Sequence, residues 1–272
     1  MSTSPSAHEQ PSEQGFPIQV PSSQDLVARE DEVYVYTAEG TISFSAAQLQ
    51  RLRKDLDSMM AEYTFVLREV ETKLSVLRDE FAQLHDYSPI EHISTRVKSM
   101  DSLLAKASRK GIPFQPDEIR RSITDIAGAR VTCGFVTDVY ELFEMLASQD
   151  DVTVLKVKDY IKNPKANGYK SLHAIMRVPV FLSSGRQDVT VEIQFRTSAM
   201  DFWASLEHKL HYKYDGDVPQ WAIDELKEVA DISSAMDQRM LNLRHVLHGE
   251  PIRTEPVDQS EPRHHGTTTF WV

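Results

Sequence analysis

The sequence contains a single cysteine, Cys133, among 272 residues. One thiol cannot form a disulfide within the chain, so a disulfide-stabilised secreted domain is excluded and a cytoplasmic protein is expected. No stretch approaches the ~18 consecutive apolar residues that a membrane-spanning helix needs. Residues 1–15 have neither a basic start nor an apolar run, so we expect no secretory signal. Cys133 lies in the apolar run VTCGF, which favours a small core residue over a nucleophile.

Several nucleotide- and metal-binding motifs are also missing. The pattern GxxxxGK[ST] of a phosphate-binding loop does not occur, and neither does the dinucleotide-binding pattern GxGxxG. No HxxxH, CxxC or EF-hand spacing is present, so we expect no dedicated zinc or calcium site. If nucleotides bind, they must bind through basic side chains on a sheet edge and a helix, not through a glycine cradle.

The charge of the chain is unevenly distributed. The whole sequence carries a formal charge of −11, but residues 91–214 contain 18 Lys and Arg against 15 Asp and Glu, a balance of +3. The acidic excess therefore lies in the flanking segments. This pattern is compatible with a middle segment that binds an anion, and also with solvated acidic helices and tails around it.

Hydrophobic periodicity and turn residues divide the chain into elements. We predict a mostly disordered extension over residues 1–44, with a short extended element at 32–42, then one domain over 45–247 and a flexible tail over 248–272. Within the domain we expect helices at 45–86, 91–110, 116–123, 137–149, 198–212 and 218–247, and strands at 129–135, 152–159, 169–182 and 187–196. Strands interleaved with helices indicate an α+β fold with a mixed sheet of four to five strands, whose core spans about 91–214 between long N-terminal and C-terminal helices.

The helix predicted at 45–86 carries one apolar stripe. Its apolar residues follow each other at intervals of three and four from Leu49 to Leu84, which places them on one helix face. A stripe of this length could form a coiled-coil seam, or it could lie along a core or a subunit interface. We favour the interface.

The strand predicted at 187–196 alternates between two kinds of side chain. Ile193 and Phe195 fall on one face, and Glu192, Gln194 and Arg196 fall on the other, because strand side chains alternate with period two. A face in contact with solvent would explain this pattern. A binding surface that presents a carboxylate, an amide and a guanidinium would explain it equally.

The segment KDYIKNPKANGYKSLH at 158–173 favours the binding surface. It combines four lysines with an Asn-Gly-Tyr turn. Period two places Tyr169, Ser171 and His173 on one face, and a hairpin across residues 183–185 would bring this face beside Glu192. An aromatic ring can stack on a base and lysines can neutralise phosphates, so the combined surface is typical of a nucleotide site.

A second carboxylate and several cations complete this picture. Asp125 precedes the strand at 129–135, where a single Asp is most simply a cap or turn residue. Together with Glu192 it could hold Mg²⁺, which takes one or two carboxylates and completes its shell with water and phosphate oxygens. Arg96 and Lys106 would lie ~15 Å apart along the helix predicted at 91–110, a spacing compatible with a triphosphate and its base or with a solvated basic face.

Four blocks of the sequence resemble the synthetase domain of RelA/SpoT-type alarmone synthetases, and most of all the small stand-alone members of that family. They are RVKSMDSLLAKASRK at 96–110, DIAGARVTCGFVTDVYEL at 125–142, KDYIKNPKANGYKSLH at 158–173 and VEIQFRTSAMDFWASLEHKLHYK at 191–213. The blocks follow the family's order and spacing. The resemblance implies a nucleotidyltransferase-like sheet, with flanking helices that tend to assemble the small members into homotetramers.

The resemblance also implies an activity and a set of site residues. The family transfers the β,γ-pyrophosphate of ATP to the ribose 3′-OH of GTP or GDP, and in some members GMP, which yields AMP and the alarmone (p)ppGpp of the stringent response. By resemblance, Asp125 and Glu192 are the catalytic residues. Asp125 is the implied ligand of Mg²⁺, and Glu192 is the second acidic residue near the 3′-OH, as metal ligand, as general base or as both. Those on the ATP side are Arg96, Lys98, Lys106, Arg109 and Arg130. Those on the guanosine-nucleotide side are Lys158, Lys165, Asn167, Tyr169, His173 and Gln194.

Some positions and functions stay open at this point. Arg109, Arg130 and Arg196 could contact phosphate or form internal ion pairs, and we expect Lys162 and Lys170 to be solvated. Many relatives carry a separate hydrolase domain of the His-Asp type. The only His-Asp pair here is at 85–86, and too few residues precede position 45 for that domain, so we expect no hydrolase activity.

Three other functions compete with the synthetase. The lysine-rich loop and Tyr169 could bind single-stranded RNA, either as the main role or as regulation of a synthetase. The alarmone product could bind as a regulator as well. The chain could be a catalytically silent, oligomer-forming relative, although Asp125 and Glu192 argue against this. It could also transfer a nucleotidyl group instead of pyrophosphate.

Overall fold

The computed structural model describes residues 32–37, 40–85, 87–212 and 218–247. The helices of this part are α1 (Ala46–Leu84), α2 (Met100–Arg109), α3 (Pro116–Ser122), α4 (Val136–Ala147), α5 (Ser198–Tyr212) and α6 (Gln220–Leu247). Its strands are β1 (Glu32–Thr37), β2 (Gly40–Ser45), β3 (Ile90–Val97), β4 (Ala127–Cys133), β5 (Thr153–Asp159), β6 (Leu172–Leu182) and β7 (Gly185–Thr197). The tail predicted at 248–272 and the first 31 residues of the predicted extension lie outside the described residues.

A hairpin and a long helix precede the main sheet. β1 and β2 pair antiparallel, in the region where the sequence predicts a short extended element. Ser45 then caps α1, because its hydroxyl accepts the Gln48 backbone N–H while the Gln48 side chain accepts the Ser45 backbone N–H. This reciprocal pair is a capping box, and it fixes the start of the helix.

The apolar stripe of α1 is buried in its middle part. Met59, Val66, Val70 and Leu74 have no exposed surface, and they join one core with the strands of the main sheet. The middle of the stripe therefore covers the sheet of its own chain, and not a second subunit as the preferred interpretation had it. Leu84, at the end of the stripe, is 72% exposed.

The main sheet has the strand order β3-β4-β7-β6-β5. β4 and β7 run parallel, and the other neighbours run antiparallel. The β6–β7 hairpin turns at residues 183–184, and Gly185 follows with φ +117°, a backbone conformation that favours glycine. The predicted α+β fold with a mixed sheet of four to five strands is confirmed.

One face of the sheet is apolar and covered by helices. Val191, Ile193 and Phe195 of β7 are fully buried, and α1 and α4 pack against the strands. The ring of Phe143 on α4 meets the Phe195 ring edge-on, with 6.1 Å between centroids. Alternation along β7 therefore directs its polar side chains to the opposite face.

The helix predicted over 91–110 is wrong in its first half. Residues 90–97 form β3, and the helix begins only after Ser99, whose hydroxyl accepts the Ser102 backbone N–H. The segment IEHISTRV is rich in β-branched residues, which favour a strand once a neighbour such as β4 is present to pair with it. Arg96 thus lies on a strand, and its predicted helical spacing from Lys106 does not apply.

The strand predicted over 169–182 begins three residues late. β6 starts at Leu172, so Tyr169 and Ser171 lie in the loop before it. Ser171 is fully buried, and its hydroxyl donates to the Phe195 carbonyl. Its assignment to the face of Tyr169 and His173 is therefore wrong.

Among the described residues, no helix combines the length and the apolar character that crossing a membrane requires.

Candidate active site

The register of the sheet gathers the predicted site residues on its polar face. Arg130 of β4 pairs with Gln194 of β7, Gln194 with His173 of β6, and His173 with Lys158 of β5. Paired residues on neighbouring strands project to the same face, so these four side chains form a row across four strands. Glu192 lies two residues before Gln194 on β7 and therefore occupies the next row of the same face.

Five polar side chains of this face form a closed hydrogen-bonded ring, which we call the polar ring. Glu192 contacts His173 Nδ1 at 3.2 Å, and His173 Nε2 contacts the Tyr169 hydroxyl at 2.7 Å. Arg196 donates to the Tyr169 hydroxyl at 2.8 Å and to the Gln194 side-chain oxygen at 2.9 Å. The Gln194 amide returns to Glu192 at 3.1 Å and closes the ring.

The polar ring holds Glu192 in one orientation. An ionised Glu192 can only accept, so His173 donates to it from Nδ1. Burial raises the pKa of Glu192, but hydrogen bonds from His173 and Gln194 outweigh burial and leave this pKa below its ordinary value. Glu192 is therefore an ionised, oriented carboxylate with its side chain 22% exposed.

Asp125 lies close enough to influence this carboxylate, because its charge acts to raise the pKa of Glu192. Asp125 itself contacts the ammonium groups of Lys106 at 2.6 Å and Lys98 at 3.3 Å through Oδ2. Burial raises the pKa of Asp125, but the two lysines outweigh it and lower this pKa below its ordinary value. The structure thus brings both predicted catalytic carboxylates and two predicted ATP-side lysines together.

The carboxylate pair fits a magnesium ion in its donor chemistry. Asp125 Oδ1 is buried, and it has no hydrogen-bond partner within the described part of the chain. No group of three or more His, Cys, Asp or Glu side chains suited to a metal occurs in the described ranges. One or two carboxylate ligands with substrate phosphates completing the shell are typical of Mg²⁺ and not of zinc or calcium.

The Tyr169 ring is held from several sides. The ammonium of Lys165 lies 4.5 Å from the ring centroid, and the Arg196 guanidinium lies 5.2 Å from it. The rings of Tyr160 and His173 meet it edge-on at 6.0 and 5.8 Å. Cations over an aromatic face are attracted by its negative charge density, so Lys165 is drawn to the ring.

Asn167 shapes the loop that carries Tyr169. Its side-chain oxygen accepts the Tyr169 backbone N–H at 3.2 Å, and its amide donates to Glu207 of α5 at 3.1 Å. Both ends of this side chain are therefore used inside the protein. An Asn side chain has two N–H donors and two acceptor lone pairs, so these two bonds do not exclude the predicted contact between Asn167 and a guanosine nucleotide.

Asp201 belongs to the site, and the sequence reasoning missed it. Its Oδ1 contacts Arg130 and Arg196, each at 3.0 Å. Both arginines thus form internal ion pairs, one of the two alternatives left open for them. The available signal was an acidic residue in the first turn of α5, directly after a strand whose penultimate residue is Arg196.

Three predicted site residues lie apart from these clusters. Arg96, Arg109 and Lys158 are exposed, and none of them forms an ion pair with another described residue. Arg96 is paired with Gly128, which is in turn paired with Glu192, so it shares the polar face. Arg109 lies at the end of α2, one turn beyond Lys106, and Lys158 lies on the edge strand β5.

The site combines a polar sheet face, two carboxylates, flanking cations and an aromatic loop. These groups are typical of a transferase that acts on nucleotides. A family model described as a region found in RelA / SpoT proteins matches residues 95–217. GTP pyrophosphokinase YwaC of Bacillus subtilis (strain 168) is 44% identical over 196 residues, which are 72% of this chain and 93% of YwaC.

Solved structures agree with this match. Small alarmone synthetase 1 from Bacillus subtilis, bound to its product pppGpp, is 39% identical with a TM-score of 0.66, over 71% of this chain and 98% of that one. The same synthetase bound to AMPCPP shows 35% identity and a TM-score of 0.61, over 72% and 98% of the two chains. The chain therefore belongs to the RelA/SpoT family, and its similarity is to the small alarmone synthetases within it. The family predicted from the four sequence blocks is confirmed.

Proposed function

We propose that this protein is a GTP pyrophosphokinase that transfers the β,γ-pyrophosphate of ATP to the ribose 3′-OH of a guanosine nucleotide. The products are AMP and the alarmone (p)ppGpp. The observation that carries this proposal is the proximity of Asp125 to Glu192, with Lys98 and Lys106 bonded to Asp125 and with His173, itself bonded to Tyr169, on Glu192. The names and bound ligands of the similar proteins support both nucleotide classes.

Glu192 acts on the acceptor. An ionised carboxylate within reach of the ribose 3′-OH can take its proton as the oxygen attacks the β-phosphorus of ATP. His173 and Gln194 hold both oxygens of Glu192, so the carboxylate does not need to reorient during the reaction. AMP leaves with the electron pair of the broken bond between the β-phosphorus and the bridging oxygen.

The cations act on ATP. Lys98 and Lys106 are already near Asp125, and Arg96, Arg109 and Arg130 extend the positive charge around them. Fixed cations stabilise the charge that develops on the phosphates during transfer. Asp125 would hold Mg²⁺ with its partnerless Oδ1, and Glu192 would serve as the second ligand. A bound Mg²⁺ would supply charge neutralisation across the phosphate oxygens.

The acceptor side is formed by the loop before β6 and by the neighbouring strands. Tyr169 is the aromatic surface for the guanine base, and Lys158, Lys165, Asn167, His173 and Gln194 surround it. GTP and GDP are the proposed acceptors, with GMP as a third candidate. A role for RNA or alarmone as a regulator belongs to the same proposal, since both carry phosphates and guanine-like bases.

The protein is also proposed to form a homo-oligomer, most simply a tetramer. Large apolar side chains on α5 and α6 are exposed, among them Phe202 at 62%, Ile232 at 63% and Met236 at 51%. Exposed apolar residues in this number favour association. We also propose no alarmone hydrolase activity, and measurable release of pyrophosphate from ppGpp by the purified protein would contradict this.

One experiment tests the proposed reaction. The protein is incubated with Mg²⁺, ATP and each of GMP, GDP and GTP in turn, and the products are identified by mass. We expect AMP together with a guanosine nucleotide that has gained two phosphates. Release of inorganic pyrophosphate with transfer of AMP would instead indicate a nucleotidyltransferase. Salt-dependent RNA binding without ATP turnover would favour the binding-module alternative.

A further inference from the structure

The loop that carries the proposed acceptor residues rests on α6, a helix that lies beyond the matched region 95–217. Gly168 has φ +86°, and a Cβ atom added to it would lie 2.6 Å from the Ala230 Cβ and 3.4 Å from the Lys227 Cα. No side chain fits in that space. The backbone of the acceptor loop is thus in direct contact with the helix at the residue before Tyr169.

Lys170, the residue after Tyr169, is bonded to the same helix. Its ammonium donates to the Ser234 hydroxyl, and this hydroxyl donates in turn to the Ala230 carbonyl at 2.9 Å. The expected solvated surface position of Lys170 is therefore wrong. Gly168 and Lys170 fix the loop to α6 on both sides of Tyr169.

Tyr169 and α5 complete the contact. Tyr169 and Leu226 pack against the small buried cluster of Trp203, Ala204 and Ala230, and the Trp203 indole donates to the Leu226 carbonyl at 2.8 Å. Farther along α6, buried Asp237 accepts the Thr197 hydroxyl at 2.7 Å and so ties the helix to the end of β7. The helix is anchored to the strand that carries Glu192.

We infer that α6 positions the acceptor nucleotide, with Ala230 and Ser234 as positioning residues that hold Tyr169 through Gly168 and Lys170. The inference rests on the proposed function, in which Tyr169 meets the guanine base. The cations proposed for ATP lie on β3, on α2, in the turn between these two elements, and on β4. Within the described residues, Lys98 and Lys106 bond to Asp125 and not to α6. Loss of the α6 contact therefore acts on the guanosine nucleotide and not on ATP.

The test compares two serines one residue apart. Ser234→Ala removes the hydroxyl that holds Lys170, whereas Ser233→Ala removes a hydroxyl that bonds only to the Val229 carbonyl of its own helix. We expect Ser234→Ala to raise the KM for GDP about three- to tenfold, the size of one ordinary net hydrogen bond. The KM for ATP should stay within about twofold, and the midpoint of thermal unfolding within a few degrees, of the Ser233→Ala values, because neither serine bonds to the ATP side.

Two further variants sharpen the result. Ser234→Thr keeps the hydroxyl and is expected to restore most of the wild-type KM for GDP. Lys170→Met removes the same bond from the loop side, so it should raise this KM similarly. The double variant Ser234→Ala with Lys170→Met should have a KM for GDP no higher than that of the single variant with the larger effect. Additive effects of the two changes would show that they do not act through one contact.

Other outcomes overturn the inference and leave the function intact. Equal KM values for GDP in Ser234→Ala and Ser233→Ala would show that α6 does not position the acceptor nucleotide. An equal rise of the KM for GDP and the KM for ATP in Ser234→Ala would show the same, because α6 would then act only on the fold. A wild-type protein that makes no alarmone would instead refute the proposed function. GDP affinities measured by equilibrium dialysis on the same variants then decide the positioning role, and equal affinities would refute it as well.

Discussion

At the scale of residues, the site is a set of side chains that fix one another. In the polar ring each member contacts two others, so the orientation of Glu192 depends on His173 and Gln194, and that of His173 depends on Tyr169. The cations beside Asp125 and the arginines on Asp201 form two further clusters. A change at one position therefore acts through its neighbours as well as on the substrate.

The first residue-scale prediction concerns the proposed base. Glu192→Gln should lower kcat at least ~100-fold, because an amide cannot take the proton of the 3′-OH. Binding of ATP and GDP should remain within a few-fold of wild type, measured by equilibrium dialysis. Asp188→Asn, the same chemical change at an exposed position of the same strand, serves as the control. Near-normal turnover of Glu192→Gln would remove this residue from the mechanism.

The second prediction separates the ring of Tyr169 from its hydroxyl. Tyr169→Ala should raise the KM for GDP roughly 5- to 150-fold, which corresponds to the 1–3 kcal/mol of stacking an aromatic ring on a base. Tyr169→Phe keeps the ring and loses only the bonds to His173 and Arg196, so its KM for GDP should rise less. Steady-state kinetics with each substrate varied in turn measures both. Equal effects of Ala and Phe would argue against stacking.

At the scale of elements, the sequence predicted best where one local signal was strong. The alternation of β7 and the long stripe of α1 gave the right elements, because each is a regular pattern over many residues. Residues 90–97 were misassigned to a helix, since this strand lies at the sheet edge and gains its stability from pairing with β4. Propensity alone does not decide such a case.

An element-scale prediction concerns the anchor between α6 and β7. Burial raises the pKa of Asp237, and the Thr197 hydroxyl and Lys170 reduce this effect without reversing it. The folded state therefore holds the proton of Asp237 more tightly than the unfolded chain. Its contribution to stability is present at acidic pH and is lost as pH rises from the ordinary Asp pKa through the raised one.

Asp237→Asn tests this sign, because the amide oxygen still accepts from Thr197 but carries no charge. We expect the wild type to lose stability relative to this variant as pH rises from about 3 to about 7, across the range in which a perturbed carboxyl titrates. Urea unfolding at several pH values measures the difference. Asp231→Asn, an exposed carboxylate of the same helix, is the control. A difference that does not vary with pH would contradict the prediction.

At the scale of the whole molecule, α6 has two different sides. One side holds Ala230 and Asp237, both buried against the site and the end of β7. Another exposes a row of apolar residues at helical spacing, Ile232, Met236, Met240 and Leu243, each at least 50% exposed. A second copy that covers such a row removes apolar surface from water, which favours association.

The corresponding prediction is that the variant Ile232→Glu with Met236→Glu weakens the proposed homo-oligomer. Buried charges at an interface are costly unless they are paired. Sedimentation velocity should show wild-type protein at a multiple of the 31.0 kDa chain and the variant shifted toward the single chain. Gln238→Glu adds a negative charge elsewhere on the helix and should leave the mass unchanged. An unchanged mass in the double variant would exclude this face from the interface.

The sequence by itself determined the α+β class, most element positions, the family and the residue types of the site. These follow from periodicity and from residue blocks that stay contiguous along the chain. Only the tertiary structure decided how Asp201 joins Arg130 to Arg196 and why Lys170 is bonded and not solvated, because Arg130 is 71 residues from Asp201 and Ser234 is 64 residues from Lys170. Local patterns cannot report such contacts. The packing of α6 on Gly168 depends on the same long-range geometry.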